Sequence, residues 1–73
     1  MRVTPLKSDV VIRILKRMGF VPIRQRGSHI SFNHPDGRYT IVPFHPGDDI
    51  PVGLLRSILR EINTNWGTFI SYR

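Results

Sequence analysis

Three histidines stand at positions 29, 34 and 45, and each has a different chemical setting. His29 follows Arg24, Arg26, Gly27 and Ser28 and precedes Ile30, Ser31 and Phe32. An imidazole near its ordinary pKa can take or give a proton around neutral pH. Placed after a cationic segment, it is suited to proton transfer beside a phosphate. RNA can be cut by its own 2′-hydroxyl attacking the adjacent phosphorus. That reaction needs a base on the hydroxyl and positive charge on the developing phosphorane. His29 is the candidate base, with Arg24, Arg26 or Lys16 to hold the charge. DNA lacks the 2′-hydroxyl and would resist. The plain alternative is a solvent-exposed strand histidine with no chemical task.

Lys16, Arg17, Arg24, Arg26, Gly27, Ser28 and Arg38 form the expected RNA-contacting set around His29. The Gly27-Ser28 turn could also offer backbone N–H groups to a phosphate. The general acid is open: His45, Ser28, Tyr39 and water all qualify. His34 precedes Pro35-Asp36-Gly37, so its expected role is in a turn. A zinc site built from the three histidines is not expected, because they fall on opposite faces and no cysteine assists. Asp48-Asp49 reads as a solvated or capping loop pair rather than a metal site. No cofactor is expected, and the candidate chemistry is metal-independent.

The elements that must position these groups follow from periodicity. Val10, Val11, Ile14, Leu15 and Met18 make an apolar stripe of helical period. Ser8 is the candidate N-cap, Asp9 suits the positive end of the dipole, and Gly19 marks the stop. Residues 20–26 change period: Val21, Ile23 and Gln25 alternate with Pro22, Arg24 and Arg26, and Pro22 points to an edge strand or to a strand that starts late. Beyond the tight Gly27-Ser28 connection, Ile30 and Phe32 face one way and His29, Ser31 and Asn33 the other. If Ile30 and Phe32 pack on the helices, His29 stands on the open face with Arg24 and Arg26 across the hairpin. Residues 39–44 form a third strand antiparallel to the second, with pairing expected to stop at Pro43. A second helix runs from about Pro51 through Ile62, burying Leu55, Ile58, Leu59 and Ile62 and exposing Arg56 and Arg60. In residues 63–73, Trp66, Phe69 and Ile70 fit a short amphipathic helix, but Thr68 to Tyr72 fits a strand equally well. The helical reading is preferred. The order α-β-β-β-α describes an α+β domain, two helices on one face of a three-stranded antiparallel sheet, as in double-stranded-RNA-binding folds.

Composition bounds what such a domain can be. Seventy-three residues make one domain with a single two-layer core, and there is no cysteine to staple it. The first 38 residues carry eight Lys and Arg against two Asp, while the remaining 35 carry three against three. The net charge of +6 is therefore concentrated in one half. A pI of about 11.2 is the usual footprint of nucleic-acid binding. Charge alone does not separate RNA from DNA, nor either from an acidic protein. The chain has no apolar run of signal-peptide or membrane-spanning length, so a cytoplasmic protein without membrane contact is expected.

Several linked motifs carry a family resemblance. Gly19-Phe20, Arg24-Gln25-Arg26-Gly27-Ser28-His29, His34-Pro35-Asp36-Gly37-Arg38, Val42-Pro43-Phe44-His45-Pro46-Gly47 and Gly53-Leu54-Leu55-Arg56-Ser57-Ile58-Leu59-Arg60 stand in order across residues 8–62. This run resembles the HicA (YcfA-like) toxins of toxin–antitoxin pairs. The resemblance implies the same α-β-β-β-α fold, ribosome-independent mRNA cleavage that inhibits translation, and neutralisation by a HicB-like antitoxin. It also implies that the functional histidine is the one in Gly-Ser-His, here His29. DNA is not an expected substrate or partner of the isolated toxin. Two departures are visible. Many relatives have a second histidine where this chain has Ile30, and the segment after Ile62 lacks the family's usual acidic, leucine-bearing ending. The alternative function is a non-catalytic RNA-binding module of the same fold. A third class is an interaction domain whose basic surface meets an acidic protein.

Overall fold

A computed structural model of the chain describes residues 2–73. Its elements run β1 (Leu6–Lys7), α1 (Ser8–Arg17), β2 (Val21–Arg26), β3 (His29–Asn33), β4 (Tyr39–Pro43), β5 (Asp49–Ile50), α2 (Val52–Glu61) and α3 (Trp66–Ser71). The expected α-β-β-β-α order is present as α1-β2-β3-β4-α2, with the three strands antiparallel in the order β2-β3-β4. The small β1–β5 pair and α3 are additions to it. No helix among the described residues is long and apolar enough to cross a membrane.

Helix α1 ends as its sequence dictates. Gly19 has φ +99, its N–H donates to the Lys16 carbonyl, and the Phe20 N–H donates to that of Leu15. This is the Schellman pattern, and it turns Phe20 into the core beside Leu15, both of them buried. The start of the helix differs from the expectation for Ser8. No side chain caps α1; Ser8 is the first helical residue, and its hydroxyl donates to the His45 carbonyl at 3.0 Å. The reason lies in the β1–β5 pairing, Leu6 opposite Ile50 and Lys7 opposite Asp49. That pairing draws Ser8 against the loop after β4, where the Ser8 N–H also donates to the Asp48 carbonyl.

The core lies between the helices and one face of the sheet. Phe32 and Val42 point into it and meet Val11, Ile14, Leu15, Leu55, Ile58 and Ile62, all buried. Thr40, opposite Phe32 on that face, is also buried; its hydroxyl donates to the Glu61 carboxylate at 2.7 Å, so no polar atom is stranded there. Trp66 and Phe69 complete the same core. Residues 63–73 are thus part of the packed domain, and the helical reading of Trp66, Phe69 and Ile70 holds. Asn65 caps α3 by accepting from the Thr68 N–H. The Arg17 guanidinium donates to the Arg73 carbonyl oxygen at 2.6 Å, tying the last residue to α1.

Strand β2 is exposed along its whole length and is an edge strand, as Pro22 indicates. The alternation of its side chains departs from the sequence reading. Val21 pairs with Asn33 and Pro22 with Phe32, but the next pair is Arg24 with Ser31, so a bulge sits at Ile23. One extra residue reverses the facing of everything before it. Val21 therefore shares a face with Arg24 and Arg26, and Pro22 shares the other with Gln25. Bulge, proline and two arginines together protect this open edge against pairing with another chain.

Candidate active site

The face of the sheet turned away from the helices is organised in cross-strand rows. Directly opposed residues in an antiparallel ladder share a face. The first row is Arg26–His29–Pro43, the second Arg24–Ser31–Ile41, and the third Val21–Asn33–Tyr39. The expectation for His29 follows from this register. Ile30 and Phe32 pack inward, and His29 stands outward beside Arg26, with Arg24 one row along.

The β2–β3 connection sets this placement. Gly27 has φ +57 while Ser28 keeps an ordinary negative φ, the combination of a two-residue turn whose twist matches a hairpin. Gln25 steadies the turn by donating to the Gly27 carbonyl at 3.1 Å. The Ser28 carbonyl accepts from the Phe44 N–H, which ties the hairpin tip to the end of β4. Gly27 and Ser28 are thus immediate neighbours of the His29–Arg26 pair. Among the described residues, His29 makes no side-chain hydrogen bond, and Arg24 and Arg26 form no ion pair. All three are exposed. A base and two uncommitted guanidinium groups side by side on an open surface can receive a phosphodiester.

His45 is exposed at the same end of the molecule, two residues beyond Pro43. Its loop is a tight turn with Pro46 and Gly47 at the centre, Gly47 at φ +84, closed by the Asp48 N–H donating to the His45 carbonyl. Lys7 holds that loop through the Gly47 carbonyl at 2.9 Å and Asp49 at 3.3 Å. Tyr39 lies in the third row, and its hydroxyl donates to the Ser31 hydroxyl at 3.2 Å.

The remaining cations of the expected set are not brought to His29. Lys16 and Arg17 lie on α1, in the helical layer on the other side of the sheet, and line a shallow groove with Asp9, Ile12 and Arg13. Arg38 belongs to a structural knot at the opposite end of β3. Its Nη1 donates to the Ile62 carbonyl at 2.6 Å, its Nε to Asp36 at 2.8 Å, and its guanidinium lies 5.0 Å from the Phe20 ring centre. His34 joins the same knot, with Nε2 3.1 Å from the Met18 carbonyl and Nδ1 accepting from the Asp36 N–H. The turn role expected for His34 is what the geometry shows. Desolvation, the largest single influence on the Asp36 carboxyl, works upward. The Arg38 N–H and guanidinium, with His34, outweigh it and hold Asp36 below the usual carboxylate range.

The sequence reading missed the apolar part of the open face. Val21, Tyr39 and Ile41, which stand in its rows, are 54, 43 and 40% exposed, and Ile23 at the bulge is 52% exposed. The signal was present in β4, where Tyr39, Ile41 and Pro43 alternate with Thr40 and Val42.

A family model for the HicA toxin of bacterial toxin–antitoxin systems matches residues 8–63 of the 73. The match spans α1 through α2 and stops short of α3. No curated protein sequence matches the chain.

Proposed function

Since this chain belongs to the HicA toxin family, whose members are toxins with an antitoxin partner, we propose that it is an mRNA-cleaving endoribonuclease whose general base is His29. The observation that carries this is the Arg26–His29 pair with Arg24 in the next row, uncommitted and exposed on the helix-free face. In this reading a phosphodiester lies across the hairpin end of the sheet. Neutral His29 takes the proton of the 2′-hydroxyl, and the 2′-oxygen bonds to phosphorus. Arg24 and Arg26 hold the charge that grows on the equatorial oxygens. The bond to the 5′-oxygen breaks as that oxygen gains a proton, leaving a 2′,3′-cyclic phosphate and a 5′-hydroxyl. Ser28, His45, Tyr39 or water supplies that proton. Lys16, Arg17 and Arg38, if they touch RNA, do so away from the scissile bond. A HicB-like antitoxin that covers this face would stop the reaction.

The test is incubation of the purified chain with a synthetic RNA and with its DNA counterpart, with and without EDTA. RNA alone should be cut, EDTA should leave the rate unchanged, and the fragments should end in cyclic phosphate. Cutting of the DNA strand, or RNA binding with no cutting, would overturn the mechanism. The second of these outcomes leaves the non-catalytic RNA-binding module.

A further inference from the structure

We propose that the apolar half of the open sheet face is a seat for an unpaired nucleobase, so that the RNA presented to His29 is single-stranded, with one base stacked on Tyr39. This rests on the RNA-cleavage reading above and specifies its substrate.

The geometry begins with the Tyr39 hydroxyl. Tyr39 is directly opposite Asn33, yet its hydroxyl reaches the Ser31 hydroxyl at 3.2 Å, one row nearer to His29. A tyrosine that bonds to a diagonal neighbour on its own face lies along the sheet rather than standing out from it. The ring is held low on this face and the residue is still 43% exposed, so a flat ligand can reach it from solvent. The bond fixes the ring before any ligand arrives, which lowers the ordering cost of binding. Ile41 and, two strands away in the same row as Tyr39, Val21 are exposed on this face. Such a surface suits the flat face of a base, and every base has one to offer.

Charge and spacing set the occupant. Arg24, Arg26 and His29 occupy one end of this face, and none of the five carboxylates of the chain lies in its rows. A polyanion therefore fits it without opposition. At about 3.3 Å per residue the third row lies roughly 13 Å along β3 from His29, and the ring covers the interval back towards Ser31. That places the seat beside the nucleotide next to the one being cut. A duplex gains little here, because its base faces are already stacked inside the helix and its phosphates would be set against apolar side chains.

The test uses the full chain carrying His29→Ala, so that the probe survives, and a fluorescein-labelled oligoribonucleotide that the wild type cuts. Affinity is read by anisotropy for the single strand, for the same strand annealed to its complement, and for single strands with one abasic site walked along them. Tyr39→Ala should weaken the single strand by about 5- to 150-fold and leave the duplex nearly unchanged. Tyr39→Phe should stay close to the parent, and Tyr39→Trp should match or exceed it. One abasic position should cost the parent affinity but cost Tyr39→Ala nothing further. Should Tyr39→Ala not fold by circular dichroism, Tyr39→Leu carries the same comparison. Unchanged single-strand affinity, or equal losses on both forms, would overturn the base seat while leaving cleavage by the wild type intact. Loss of antitoxin binding with RNA binding unaltered would also overturn it and make the patch a protein surface. A chain that binds no RNA at all would overturn both this inference and the proposed function.

Discussion

Phe69→Ala should come close to unfolding the protein, although residue 69 lies beyond the stretch that matches the family. Phe69 is fully buried and Trp66 nearly so, both packed into the core that α1, α2 and the sheet enclose. Truncating a buried phenylalanine to alanine costs about 3–5 kcal/mol, the sum of lost transfer energy and the cavity left behind. A domain of 73 residues stands near the low end of natural stabilities, about 5 kcal/mol. At a urea slope of about 1 kcal/mol/M, suited to this size, the midpoint should fall by about 3 M or more. The assay is equilibrium urea denaturation followed by far-UV circular dichroism and by the fluorescence of Trp66, the sole tryptophan. In the wild type the two signals should coincide, because α3 belongs to the same cooperative unit. Tyr72→Ala, at an exposed position in the same segment, should cost less than about 0.5 kcal/mol. A wild-type fluorescence transition that precedes the loss of helix, or a Phe69→Ala cost below about 1 kcal/mol, would refute the placement of α3 in the core.

Other outcomes follow from the same geometry. Gly19→Ala should cost about 2 kcal/mol or more by urea denaturation, because φ +99 strains any side chain and the new Cβ would lie 2.9 Å from His34 Nε2. The low-lying Asp36 carboxyl stabilises the fold above the ordinary carboxylate pKa, and that contribution is lost as pH falls through its depressed folded value. Stability measured against pH should therefore drop less steeply below pH 4 in Asp36→Asn than in the wild type, from a lower plateau. Arg24→Ala and Arg26→Ala should each weaken RNA binding and shrink its salt slope by about 1, with stability unchanged. Arg38→Ala should instead lose about 1.5–3 kcal/mol of stability, since it removes a charge-assisted bond to the Ile62 carbonyl.

The sequence was most informative where a residue's role is local. The Gly19 stop, the Gly27-Ser28 turn and the stripe of α1 each follow from what a few neighbouring residues can do, and together they place His29 on the open face. Long-range partners were less legible. Nothing in the run Pro22-Ile23-Arg24 marks the bulge, because its alternation looks regular until the opposite strand is paired with it. The guanidinium of Arg38 counts as one more positive charge in the sequence, yet its partner is a carbonyl 24 residues away. The β1–β5 ladder has two residues per strand, too few for any period to show, and it is what takes Ser8 away from capping. Trp66 and Phe69 could be seen as apolar, but only the packed core shows that they close it.

The proposed role of His29 is proton transfer in RNA cleavage. The most direct test compares wild type with His29→Ala in single-turnover cutting of one defined RNA, after both are shown folded and binding is measured separately. The substitution is on an exposed strand position, so it should leave the fold intact. The rate should fall by about 10²–10⁴-fold with RNA affinity largely kept. A folded His29→Ala protein that cuts at the parental rate would contradict it.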